Sequence, residues 1–529
     1  MTGPSRELTV VRIPLRSAKH HFGVSVSRGT RPYNEDTYQA GTIEIPAFAK
    51  RAPLSLSRSS AAAAKEVTGA ATSAGGASGD PQVFYFGVFD GHGGHECSDF
   101  LKEELHEYIE SASEQLELAS SLKKTSTKKG SDGKALNKEQ KGMSASELSS
   151  ECKDSLSAIL IKAVDEVKDS RRILERNDEG SMEKPEAAPA IQGHDSMQQE
   201  VNRPRAVELE MSLVRQWKET VGGYFRRFKP EYFSIPSTTS CSEPAESRKE
   251  TEGKGSDPPI SIETVLMYAF LRADLDFVTA QASKPDPEST SDMPLNNDEI
   301  LGEPSRRFHK GKIGGPTRFK GGSTASVAMI STPTPTPFWH PASPSTLLVA
   351  HVGDTRILLC ETSTGLAVPV TTNHHPSSPI EGSRLRRYAA TFVTDSFGEE
   401  RMSGLANTRA FGDMRSKRIG VSAEPELRRY ELGPAQYSFL VLVSDGVSGT
   451  LSDQEIVDVV KEAKTPEQGA RDVVGFATEV SIDGDNATCL VIRLGGWERR
   501  GEGGMGSLGT KEARDYRRQD ATDPRTRRT

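Results

Sequence analysis

An α+β architecture, with helices covering antiparallel β-sheets, is what the order of apolar patterns along this chain predicts. Three observations carry that expectation. Apolar runs bounded by turn formers come first, two long stretches with helical spacing lie in the middle, and apolar runs return toward the C-terminus. Polar, low-complexity segments separate these pieces, so a single core with inserted loops fits better than alternating βαβ units.

In chain order, the first strands expected are Phe22–Val26 and Val83–Phe89. A helix follows over Glu96–Ile109, and another is expected over Ser155–Val167. Leu213, Trp217, Val221, Tyr224 and Phe228 recur at helical spacing over Val207–Phe228, until Pro230 stops the pattern. Val265, Leu266, Ala269, Phe270, Ala273, Phe277 and Val278 mark a further helix. Strands then return at Ala325–Ile330, Leu347–Val352, Ile357–Cys360, Tyr437–Val443 and Ala487–Leu494.

Between these elements, residues 49–80, 112–150, 177–205, 236–259, 284–313 and 331–346 read as loop insertions, since loop-closure entropy grows only slowly with length. The stretch 496–529 is charged and Gly-rich and reads as a disordered tail. Residues 1–19 carry Arg6, Arg12, Arg16 and Lys19 against Glu7, which reads either as a basic tail or as a mitochondrial presequence. Residues 20–495 form the expected folded domain.

The 529-residue chain has 34% hydrophobic residues, low enough to require that insertions stay outside the core. A net charge of -7 excludes the basic footprint of a nucleic-acid binder. Five cysteines without a CxxC pair argue against both a disulfide framework and a thiolate zinc site. No apolar run reaches the length of about 20 residues that crosses a bilayer, so a soluble intracellular protein is expected.

The chemistry lies where apolar runs end. Asp90-Gly91-His92-Gly93-Gly94 follows Val83–Phe89, and glycines beside a carboxylate let the backbone approach a hard cation. Glu35 and Asp36, Asp354, Asp445 and Asp485 sit at the margins of other apolar runs. If they converge, the crowded negative charge is tolerable only with cations, and an all-oxygen set favours Mg²⁺ or Mn²⁺ over zinc.

These segments resemble the motifs of the PP2C-like family of metal-dependent serine/threonine protein phosphatases, in that family's order. Arg31–Asp36 resembles its opening motif, and Asp90–Gly94 matches its Asp-Gly-His-Gly-Gly signature. Gly322–Ala325, Val352–Arg356, Asn373–Pro376, Asn407–Asp413, Ala423–Glu426, Ser444–Gly446 and Asp485–Asn486 follow. The resemblance spans about His20 to Gly495 and implies a sandwich of two antiparallel sheets flanked by helices.

It also implies hydrolysis of phosphoserine or phosphothreonine in a phosphoprotein substrate, by water bound to two Mn²⁺ or Mg²⁺ ions per active site. Asp90 would bridge them, with Asp445 and Asp485 on one ion and Glu35 with the Gly91 carbonyl on the other. Asp36 would hold bound water, Arg31 the phosphate, and His92 would be the general acid. Asp354 would help a third, weaker cation, but Gly449 stands where many members supply its second Asp. A catalytically inactive binding module on the same fold is the alternative. Arg409 and Asp413 read as a structural ion pair, and His374 and His375 as loop residues. The expected protein is a monomer without nucleic-acid partner or membrane span, mitochondrial rather than cytoplasmic or nuclear.

Overall fold

A computed structural model describes residues 21–51, 80–122, 203–234, 261–284, 313–386, 392–394, 400–402, 405–481, 484–501 and 506–522. Ten strands build two sheets. They are β1 (Phe22–Ser27), β2 (Thr37–Ile43), β3 (Val83–Phe89), β4 (Ala325–Ser331) and β5 (Ser345–Val352), followed by β6 (Arg356–Glu361), β7 (Ala367–Pro369), β8 (Glu426–Leu432), β9 (Tyr437–Val443) and β10 (Ala487–Arg493). One sheet has the order β1-β10-β9-β6-β7 and the other β8-β5-β4-β3-β2. Every pairing in both is antiparallel.

Strand alternation produces the layers, because successive side chains point to opposite faces. From β3, Phe86 and Val88 join Ile357, Leu359, Leu440 and Leu490 of the other sheet in the core between the sheets. Tyr85 and Phe89 face the opposite way, into a core shared with helices α1 (Glu96–Gln115), α2 (Arg203–Thr220) and α3 (Ile262–Ala282). On the far side of the other sheet, Phe439, Val441 and Val443 of β9 pack with Ile456, Val459, Val473 and Ala477. These last four lie on two further helices, Asp453–Glu462 and Pro466–Val480. The expected sandwich of antiparallel sheets flanked by helices is therefore the fold.

Several local expectations are corrected. The helix expected over Val207–Phe228 ends at Thr220, because Gly222 and Gly223 take φ of 70° and 55°, and a short 3-10 turn over Gly223–Arg227 follows. Residues 332–344 hold no strand or helix, yet Phe338 is buried between the sheets and packs edge-on to Phe84 and Phe86. Burying such a ring contributes about 1.5–3 kcal/mol. Within the tail expected to be disordered, Gly506–Thr522 is a helix. Arg514, Arg517 and Arg518 lie over the Phe476 ring, and Arg517 bonds both Glu455 and the Thr450 carbonyl. The expected helix over Ser155–Val167 lies outside the described residues. No helix among the described residues is long and apolar enough to cross a membrane.

Candidate active site

Five separate chain segments deliver acidic residues to one place. Asp90 leaves β3, Asp354 sits in the turn between β5 and β6, and Asp445 opens a four-residue helix directly after β9. Oxygen atoms of Asp90, Asp354 and Asp445 all lie within 4.8 Å of one another. Asp36, just before β2, accepts from the Thr488 hydroxyl on β10 at 2.7 Å, and its other oxygen, Oδ1, is buried without a hydrogen-bond partner among the described residues. Asp485 precedes β10 and pairs at 2.9 Å with Arg31, which is exposed at the rim.

Backbone and amide contacts hold these segments in register. The Asp445 amide donates to Asp90 Oδ2 at 3.2 Å. The Asn486 side chain accepts from the Glu35 amide at 2.7 Å and donates to the carbonyls of Arg28 and Tyr33, tying the Arg31–Asp36 loop to the start of β10. Glu35 in turn accepts from the Gly94 amide at 2.5 Å, and its carbonyl accepts from Ser98 Oγ at 2.5 Å. A side chain at Gly91 would meet that Glu35 carbonyl at 2.6 Å and Ser98 Oγ at 2.8 Å, so only glycine lets the two acidic segments approach.

The electrostatics follow from the crowding. Confinement in protein, then Asp445, Asp36 and Asp354, push Asp90 well above its ordinary range. Confinement and Asp445 push Asp354 up to about 7. Burial raises Asp36 to about 6 against the hydrogen bonds from Ser444 and Thr488, and confinement with Asp485 raises Asp445. Clustered carboxylates that resist ionisation, with one lone buried oxygen, make a donor set suited to hard divalent cations.

His92 follows Gly91 in a short strand pairing with Gly322–Ser323, which pairs in turn with Phe411–Gly412. That small sheet delivers Asp413 to His92, whose Nε2 lies 2.9 and 3.0 Å from the two carboxylate oxygens. Burial disfavours the imidazolium, but Asp413, then Asp354 and Glu35, outweigh it and raise the His92 pKa.

One expectation fails here. Arg409 does not pair with Asp413. It bonds Glu381 at 2.6 Å alongside Arg384, and despite burial these two guanidiniums hold Glu381 down to about 2. His374 lies in a loop, and there it is buried, stacks on His351, and accepts from the Gly353 amide at 3.0 Å beside Asp354. His351, His374 and Glu426 lie close enough to suggest a metal site. The His351 nitrogens, however, bond Ser326 and the Thr372 carbonyl, and Nδ1 of His374 is already taken. They brace the turn instead. Sequence reasoning missed the Asp413–His92 pair, for which the Phe411-Gly412-Asp413 stretch gave no separate signal.

A family model described as protein phosphatase 2C matches residues 58–183 and 303–482, more than half of the chain. The chain belongs to the protein phosphatase 2C family. Asp90, Asp354 and Asp445 fall within the matched stretches, whereas Arg31–Asp36 and Asp485 flank them. Among curated relatives, protein phosphatase 2C homolog 4 of Schizosaccharomyces pombe is 36% identical over 260 residues, covering 46% of this chain and 60% of its own length. Protein phosphatase 1K, mitochondrial, of Xenopus laevis is 35% identical over 152 residues, covering 28% of this chain and 40% of its own length. The chain thus spans between two fifths and three fifths of these relatives. A solved serine-threonine phosphatase 2C from Toxoplasma gondii aligns with a TM-score of 0.41 at 15% identity, over 89% of this chain and 94% of that one.

Proposed function

We propose that the protein is a metal-dependent serine/threonine phosphatase that hydrolyses phosphoserine or phosphothreonine in proteins with the help of two divalent cations, Mn²⁺ or Mg²⁺. The convergence of Asp90, Asp354 and Asp445 within 4.8 Å is the observation that carries this reading. Asp90, Asp445 and Asp485 would hold one cation, and Asp90, Glu35 and the Gly91 carbonyl the other, with Asp354 beside them. When bound, the cations supply Lewis-acid charge to the phosphoryl oxygens and make an attacking water more acidic.

The chain's own residues do the rest. Arg31, stationed at the rim by Asp485, offers a guanidinium fork to the phosphate. Asp36, with its unpartnered Oδ1, orients the attacking water. His92 gives a proton to the departing serine or threonine oxygen, a contribution of about 10²–10⁴-fold. A covalent cysteine route has no support among the described residues: Cys97, Cys360 and Cys489 are buried, and burial pushes each thiol up.

Purified full-length protein should release phosphate from a phosphothreonine peptide in Mn²⁺ and stop when the ion is chelated. A flat assay from folded protein would overturn the reading and favour an inactive binding module. A mitochondrial location is favoured by the basic segment 1–19 together with a relative bearing that word in its name. Fractionation should place the protein with mitochondrial markers, and a purely cytosolic signal would reject that location.

A further inference from the structure

We infer that Asp413 is the positioning residue for His92, fixing which imidazole nitrogen meets the leaving oxygen. The inference rests on the phosphatase reading and extends it to a residue outside the acidic cluster.

Asp413 is 6% exposed, and both its oxygens lie within 3.0 Å of His92 Nε2. Its backbone sits at φ 44° and ψ 46°, a left-handed conformation uncommon for non-glycine residues and most readily taken by Asn and Asp. Hydrogen bonds hold it there. The Asp413 amide donates to the Gly321 carbonyl at 2.9 Å, and the Asp413 carbonyl accepts from the Ser416 amide at 2.8 Å. Just before it, the Gly412 amide donates to Asp274 of α3 at 2.9 Å. Asp274 is itself locked to fully buried Lys417, which also donates to the Ala410 carbonyl. This buried ion pair, with its further hydrogen bonds to Gly412 and Ala410, ties the turn to α3.

Room for the carboxylate is also built in. A side chain at Gly322 would meet the Phe411 carbonyl and, at 2.5 Å, Asp413 Oδ2. The turn, the buried pair and the missing side chain converge on one contact.

The contact defines the chemistry. A carboxylate on Nε2–H orients the ring and leaves Nδ1, which has no hydrogen bond among the described residues, to face substrate. As water adds its oxygen to phosphorus, the bond from phosphorus to the seryl or threonyl oxygen breaks. The electron pair stays on that oxygen, which takes the Nδ1 proton, and His92 is reprotonated from solvent.

The test is a leaving-group comparison in Mn²⁺ with the full chain. Asp413→Asn should cost about 10²-fold in kcat on a phosphothreonine peptide, a loss at least about tenfold larger than on 4-nitrophenyl phosphate, whose leaving group needs little protonation. The double variant with His92→Ala should be no slower than His92→Ala alone. Asp413→Glu, which keeps the charge but displaces the carboxylate from Nε2, should show the same split in smaller measure if Asp413→Asn folds poorly. Equal losses on both substrates, or additive losses in the double variant, would overturn the proposal. So would a ¹⁵N imidazole spectrum of the wild type with no hydrogen-bonded Nε2 proton on His92. If the wild type hydrolyses neither substrate, the phosphatase reading fails, while that spectrum still decides the Asp413–His92 contact.

Discussion

Asp90→Asn is expected to abolish measurable phosphopeptide turnover while leaving the metal-free fold at least as stable as the wild type. Both halves follow from the same crowding. Asp90 faces Asp445, Asp36 and Asp354, and all four carboxyls are pushed upward by confinement and mutual repulsion. An amide of the same shape removes one charge from the cluster, and each pKa unit so relieved is worth about 1.4 kcal/mol. The same change removes the carboxylate proposed to touch both cations, so the rate loss should exceed the ~10²–10³-fold typical of deleting a single transition-state donor. Initial rates, manganese titration calorimetry and thermal melts of the apo-proteins read the three quantities. Retained turnover would refute the site assignment, and a large drop in the apo melting temperature would show that Asp90 serves the fold instead.

Cation-dependent stability should change strongly with pH. Burial raises Asp36 to about 6, and confinement with Asp445 raises Asp354 to about 7, from an ordinary value near 3.8. A carboxyl raised in the folded state binds protons more tightly there than in the unfolded chain. Its stabilising effect is therefore complete below the unfolded value and is lost as pH rises through the folded one. Between about pH 4 and pH 7 the metal-free protein should lose on the order of several kcal/mol through these groups. Glu381 works in the opposite sense, since Arg409 and Arg384 overcome its burial and hold it near 2. Its contribution is full above its unfolded value near 4.5 and fades as pH falls from there toward 2, so it varies little between about pH 5 and pH 7. Magnesium should then raise the melting temperature far more at pH 7 than at pH 4.5, because ions replace protons on the same oxygens. An increment equal at both pH values would mean that the carboxylates do not bind the ion.

The central strands were legible, and of the edge strands only Phe22–Ser27 was. Val83–Phe89, Tyr437–Val443 and Ala487–Arg493 are interior strands packed on both faces, so they read as continuous apolar runs. Thr37–Ile43 and Glu426–Leu432 are the two edges of their sheet and Ala367–Pro369 an edge of the other, and edge strands show mostly half-buried residues with little apolar signal. The helices Asp453–Glu462 and Pro466–Val480 went unread although their caps are explicit, with Ser452 and Glu455 in a capping box and Pro466 at the second helix's start. At the site, Asp90, Asp354, Asp445 and Asp485 stood beside apolar runs, but that they converge was only a condition until the motif order resembled a known family. The ion pair expected between Arg409 and Asp413 does not form. That segment instead runs through a short strand at Phe411–Gly412 into a left-handed turn, which sends the two side chains to Glu381 and His92.

The acidic residues divide between the sheets: Asp36 and Asp90 border strands of one, Asp445 and Asp485 border strands of the other, and Asp354 lies in the turn that joins the two. A half-assembled chain would hold only a fraction of the proposed ligands, so tight ion capture would report that the two layers have docked. Manganese affinity followed during refolding would thus act as a gauge of sandwich closure, distinct from any signal of secondary structure.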